Sequence, residues 1–151
     1  MKKGGTTKKI ENIKINRAIA SYSNRIATEM LFLEDASYVW LKLVTAKDFD
    51  PNADSKLNLY SLCSIISDRL TPFVKGYRSC VKDGASSYAL HALEVLTDLQ
   101  ALLRLSLAQI GNLNSPLVVS VGQLVFVQIE EARLVFESLS NISNEDVAEA
   151  A

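Results

Sequence analysis

Residues 15–44 read INRAIASYSNRIATEMLFLEDASYVWLKLV, and this stretch decides the fold class. Its apolar side chains recur at steps of three and four residues, with Ser37 filling the single gap. Because such positions share one face of an α-helix, the stretch predicts an amphipathic helix of about eight turns. The members of this apolar stripe are Ile15, Ile19, Tyr22, Ile26, Met30, Leu33, Trp40 and Val44.

A second stripe with the same spacing follows the turn-rich segment 48–54. Asp54 or Ser55 can cap the start of this helix through a side-chain oxygen. Pro72 lies inside the pattern, and we expect a kink or an early end there. Proline lacks a backbone N–H, and its ring clashes with the carbonyl of Asp68. The stripe comprises Leu59, Leu62, Ile66, Leu70, Phe73 and Tyr77.

A third stripe begins after Ser86 or Ser87 and ends at about Ile110. The pair Gly111-Asn112 follows at once and is typical of a left-handed C-terminal cap. This segment therefore predicts a third helix of about 24 residues. Its inner positions are Ala89, Leu93, Leu96, Leu99, Leu103, Leu107 and Ile110.

Ser115 and Pro116 predict the start of a fourth helix, with Ser115 as the N-cap and Pro116 at the first helical position. An alternative is a strand, because β-branched residues alternate within 119–129 and Gly122 suits a strand. No turn divides 117–140 and no second strand is available for pairing, so we favour the helix. Its inner stripe is Val118, Val121, Val125, Ile129, Ala132, Phe136 and Leu139.

Four amphipathic segments joined by short loops predict an all-α, single-domain, antiparallel four-helix bundle. The length of 151 residues suits one domain with a substantial core. We assign residues 15–141 to the bundle, 1–14 to a flexible basic arm and 142–151 to an acidic tail.

The formal net charge of −1 conceals two oppositely charged ends. Residues 1–17 carry six cations and one carboxylate, which sum to +5, whereas residues 130–151 carry one cation and six carboxylates, which sum to −5. A basic arm can follow a phosphate backbone or an acidic surface. The simpler alternative is a solubilising tail. The cations of the arm are Lys2, Lys3, Lys8, Lys9, Lys14 and Arg17.

Sequence patterns that carry catalysis or bind cofactors are weak in this chain. His91, Glu94 and Asp98 share one helical face and could hold a metal or move a proton, but such residues also make an ordinary solvated face, which we favour. The acidic pair Glu34-Asp35 is interpreted as surface charge. No nucleotide-binding, zinc-binding or nucleophile-elbow motif occurs, so we expect no enzyme activity, metal or cofactor.

Cys63 and Cys80 are 17 residues apart and have no nearby Cys or His that would complete a metal site. The first residues contain no apolar segment typical of a secretory signal. We therefore expect two buried thiols and a cytoplasmic location.

The 25 residues from Leu105 to Ile129 contain no charged side chain. This uncharged window is not a membrane span, because the turn-rich segment 111–116 interrupts it. Several apolar residues of the fourth helix lie outside its inner stripe, as in a surface that binds a partner. The alternative is a helix buried centrally within its own bundle. The predicted interface residues are Leu117, Val119, Leu124, Phe126 and Val127.

These observations predict a non-enzymatic assembly protein that binds copies of itself or another protein through the fourth helix. The alternative is an accessory or coat subunit that binds nucleic acid through its basic arm.

Overall fold

The computed structural model describes residues 2–45, 54–81 and 86–150, and it describes side chains for 17–45, 58–81, 86–114 and 116–141. Helix α1 spans Lys2–Val44, α2 spans Asp54–Cys80, α3 spans Ser87–Gln109 and α4 spans Ser115–Ala150, with a 3₁₀ turn at Ile110–Asn112. The described residues contain no strand, so the helical interpretation of 117–129 is confirmed. The predicted turns within 46–53 and 82–85 lie outside the described residues.

The four helices pack around one apolar core. Helix α1 packs most extensively on α4 and also on α2, while α3 contacts α2 and α4. Tyr77 of α2 and Phe136 of α4 meet across the core, with ring centroids 5.1 Å apart and nearly perpendicular planes. The predicted stripes supply most of the fully buried side chains, including Ile26, Met30, Leu33, Leu59, Ile66, Leu70, Leu96, Leu99, Leu103, Val125, Ile129 and Ala132.

Close contacts define how α1 lies against its two neighbours. Along α4, the Ser140 hydroxyl donates to Asn24 Oδ1 at 2.9 Å, Arg133 pairs with Glu34, and the Phe126 ring lies beside Tyr38. Along α2, the ring of Tyr22 lies against Gly76, Arg25 lies over the Phe73 ring, and Arg69 pairs with Glu29. Helix α1 therefore shares one face with α4 and another with α2.

Of three predictions about helix ends, the structure confirms the start of α3 and contradicts the cap of α4 and the left-handed cap after α3. Helix α3 begins at Ser87, as the sequence predicted, and Ser86 caps it, since the Ser86 hydroxyl accepts a bond from the backbone N–H of Ala89 at 3.3 Å. The cap of α4 is Asn114 rather than Ser115, because Asn114 Oδ1 accepts from the N–H of Leu117 at 3.1 Å. A left-handed cap at Gly111 was also a wrong prediction. There the chain tightens into the 3₁₀ turn, in which the N–H of Leu113 donates to the Ile110 carbonyl.

Pro72 does not end α2, which continues to Cys80. The expectation of an early end was wrong because Pro72 is exposed, so the Asp68 carbonyl that loses its backbone partner can be solvated. Burial of Val74 and Tyr77 beyond the proline favours continued helix in that part of α2.

Helix α1 begins at Lys2 and α4 ends at Ala150, so the two helices include residues of the predicted basic arm and acidic tail. The side chains of 2–16 and 142–150 lie outside the described residues. The assignments of arm and tail stay predictions.

Candidate interaction surface

The uncharged window forms the end of α3, the 3₁₀ turn and the first half of α4, and much of its apolar surface faces solvent. Leu124 is 47% exposed, and Leu105, Leu117 and Val127 are exposed to a similar or greater degree. Isolated exposed leucines are ordinary, whereas several of them in an uncharged segment indicate a candidate contact surface.

The structure divides the five predicted interface residues between two faces of α4. Phe126 is half-buried on the side of α1, where its ring centroid lies 6.2 Å from that of Tyr38. Val119 is also half-buried and lies seven residues earlier, on the same helical face. Phe126 therefore packs against α1 of its own bundle.

The other three predicted residues fall on the outer face of α4. Leu117 and Leu124 are seven residues apart, Val127 follows three residues later, and Leu134 is seven residues beyond Val127. This spacing makes a slowly drifting stripe along one side of a helix. All four side chains are exposed, and we call Leu117, Leu124, Val127 and Leu134 the outer stripe.

Leu134 was missed because it lies beyond the uncharged window, although its seven-residue spacing from Val127 could have identified it. It lines a mainly apolar groove of about 250 Å³ between α3 and α4. Tyr88 and His91 form the opposite wall, and Val135, Ser138 and Leu139 complete it. The groove extends the apolar outer stripe toward the start of α3.

Glu34 is not the solvated charge that the sequence suggested, because it pairs with Arg133 across the α1–α4 contact. Arg133 also donates from Nη1 to Glu137 at 3.1 Å. The hydrogen bond to Glu34 and, to a smaller extent, the one to Glu137 raise the pKa of the Arg133 guanidinium above its usual range. Arg133 is thus held within the bundle, while Asp35 is exposed as expected.

His91, Glu94 and Asp98 are all exposed on α3. His91 Nδ1 lies 4.0 Å from Glu94 Oε2, which makes a loose surface pair. Within the described parts of the chain, no group of three or more His, Cys, Asp or Glu side chains could hold a metal ion.

The two thiols differ in burial. Cys63 is completely buried, and burial raises the pKa of its thiol to about 11, so this thiol is protonated at neutral pH. Cys80 is half-buried rather than buried as predicted.

Of the basic arm, Arg17 is exposed, and the other five predicted cations lie outside the described side chains. None of the described helices combines the length and apolar character needed to cross a membrane. The chain matches no protein-family model, and no curated protein or solved structure is significantly similar to it.

Proposed function

We propose that this protein acts without catalysis, by assembling with further copies of itself or with another protein through the outer face of α4. The observation that carries the proposal is the outer stripe, whose four large apolar side chains are each about half exposed. Burying such side chains against a partner releases roughly 25 cal/mol for each Å² of apolar surface. At 1.5 Å per residue, the stripe extends for about 26 Å along the helix axis, long enough to pack against a partner helix.

An antiparallel arrangement of the four helices is part of this proposal. Moving up α1 from Asn24 through Glu34 to Tyr38, the partners on α4 move down from Ser140 through Arg133 to Phe126. The contacts of α1 with α2 follow the same opposite order. This arrangement leaves the outer stripe on the side of α4 away from α1.

We expect Leu124→Asp to separate the assembly into monomers of 16.6 kDa while the helix content is preserved. The variant should dissociate because an aspartate buried at the contact would be strongly unfavourable. The wild-type chain should have at least twice the monomer mass at tens of micromolar. Light scattering after size exclusion gives the mass, and circular dichroism gives the helix content.

Leu90→Asp is the matched control, because Leu90 of α3 is also 47% exposed but lies outside the outer stripe. It should leave the mass unchanged. A monomeric wild-type protein would refute self-association, and equal masses for the two variants would refute the role of the outer stripe.

The second candidate function is that of an accessory or coat subunit that binds nucleic acid through the basic arm. Its support is the net charge of +5 in residues 1–17. Replacing the six cations by glutamine keeps the chain length and removes the phosphate contacts. Binding of a labelled DNA duplex, followed by fluorescence anisotropy, should then be lost.

For the wild-type chain, five or six phosphate contacts predict a log–log salt slope of about −5 on duplex DNA. Wild-type protein that does not bind at low salt, or a glutamine variant that binds equally well, would contradict this candidate. Such a result would leave the assembly proposal untouched.

A further inference from the structure

A groove between α2 and α3 shares no residue with the outer stripe and has three cations and three uncharged polar residues in its lining. Its volume is about 460 Å³. Lys75 and Arg78 contribute from α2 and Arg104 from α3. The polar lining residues are Thr71, Thr97 and Gln100.

The three cations of this groove lack the kind of partner that Arg25, Lys42, Arg69 and Arg133 have. Arg69 and Arg133 pair with carboxylates, and Arg25 and Lys42 lie over aromatic rings. Within the described side chains, no carboxylate oxygen lies within 4.0 Å of a nitrogen of the three groove cations. Three positive charges around one groove repel one another, and an anion between them would relieve that repulsion.

Gln100 provides the second, independent observation. Its side chain lines the groove and is only 8% exposed, and its amide makes no hydrogen bond within the described residues, so the amide atoms remain accessible to solvent. An accessible amide without a protein partner is satisfied by water or by a ligand. The position of Gln100 supplies N–H donors in the wall of a cationic groove.

The hydroxyl groups of the groove are already used as donors. Thr71 donates to the Ser67 carbonyl at 2.8 Å, and Thr97 donates to the Leu93 carbonyl at 2.7 Å. The groups left to donate are therefore the Gln100 amide, one ammonium and two guanidinium groups. This donor set suits an oxyanion, and guanidinium matches the geometry of phosphate particularly well.

We propose that the α2–α3 groove binds a phosphate group, carried by a soluble polyphosphate or nucleotide or by the backbone of a nucleic acid. Arg78 and Arg104 hold the phosphate from opposite walls, Lys75 adds a third charge, and the Gln100 amide donates to a phosphate oxygen. Among the described side chains, no aromatic one lines the groove, so the site recognises the phosphate and not a base. The site shares no residue with the outer stripe or with the basic arm.

The test compares two charge-matched double variants of the full chain. Arg78→Gln/Arg104→Gln removes one cation from each wall, whereas Arg25→Gln/Lys42→Gln removes two exposed cations from α1. The probes are tripolyphosphate, measured by calorimetry, and a labelled 20-nucleotide single strand, measured by anisotropy at 50 mM salt. We expect the groove variant to raise the Kd of at least one probe by about tenfold or more, because hydrogen bonds to charged groups are lost. The α1 variant should change that Kd by less than about threefold.

Weaker binding of tripolyphosphate by the groove variant supports a soluble phosphate, and weaker binding of the single strand alone supports a nucleic-acid backbone. A wild-type chain that binds neither probe, or equal losses in the two double variants, overturns the proposal. The oligonucleotide result is separable from the basic arm, since both variants retain all six arm cations.

Gln100→Leu distinguishes a binding role for the amide from a structural one. Leucine retains the approximate size of the side chain and removes the donors. We expect the Kd of the responsive probe to rise by about threefold or more, and Tm to stay constant or increase. A lower Tm with an unchanged Kd overturns the site.

Discussion

Replacing Phe136 by alanine is expected to reduce the free energy of unfolding by about 3–5 kcal/mol. Phe136 is fully buried, and its ring lies nearly perpendicular to that of Tyr77, with the ring centroids 5.1 Å apart. The Tyr77 hydroxyl in turn donates to the Ala89 carbonyl at 2.9 Å. The ring of Phe136 thus supports a contact that joins α4, α2 and α3, and truncation leaves a cavity at that point.

Urea unfolding at one protein concentration measures this loss as a lower midpoint with an unchanged slope. Phe126→Ala is the control, because Phe126 lies on the same helix but is half-buried beside Tyr38. We expect that change to cost about 1 kcal/mol. If the two variants lose similar amounts of unfolding free energy, burial of Phe136 is not the source of the larger expected effect.

Gly122→Ala is expected to destabilise the protein by about 2 kcal/mol, although alanine is the better helix former. A Cβ atom at position 122 would lie 2.5 Å from Cη2 of Trp40 and closer still to Cζ3. Trp40 is buried between the helices, so its ring cannot move away without opening the α1–α4 contact. The overpacking outweighs a gain of up to about 1 kcal/mol from helix propensity.

Gly76→Ala, at the α1–α2 contact, is the comparison for Gly122→Ala at the α1–α4 contact. There the new Cβ atom would lie 2.5 Å from Cε1 and 2.6 Å from the hydroxyl oxygen of Tyr22. Because Tyr22 is only half-buried, its ring can swing toward solvent, and the free energy of unfolding should change by less than about 1 kcal/mol.

Trp40→Phe combined with Gly122→Ala should recover part of the stability lost through Gly122→Ala, since the smaller ring leaves room for the methyl group. The coupling energy of this double-mutant cycle should be about 1 kcal/mol or more. If the two changes are additive, the clash with Trp40 is not the cause of the loss.

The four helices and most of their buried faces could be predicted because helical periodicity is local information. Even Ser37, the polar residue in the first stripe, is buried as its position implies. The errors at Pro72 and Gly111 have a different origin. Each residue permits more than one backbone conformation, and packing of the neighbouring residues selects among them.

The candidate surface was only partly predictable. Exposed leucines in the uncharged window follow from the absence of charge, but Phe126 and Leu124 have similar chemistry in the sequence and lie on different faces of α4. The Glu34–Arg133 pair joins residues 99 positions apart, and nothing near Glu34 in the sequence indicates its partner. The groove formed by Arg78, Gln100 and Arg104 likewise needs two helices at a particular rotation.

The sequence by itself determined the helical class, the inner faces of the helices and the uncharged window, because each depends on spacing along one chain segment. Only the tertiary structure decided which apolar side chains remain exposed and which charged ones find partners. Those outcomes depend on the rotation and axial position of one helix against another, which are set by close packing such as that of Trp40 on Gly122.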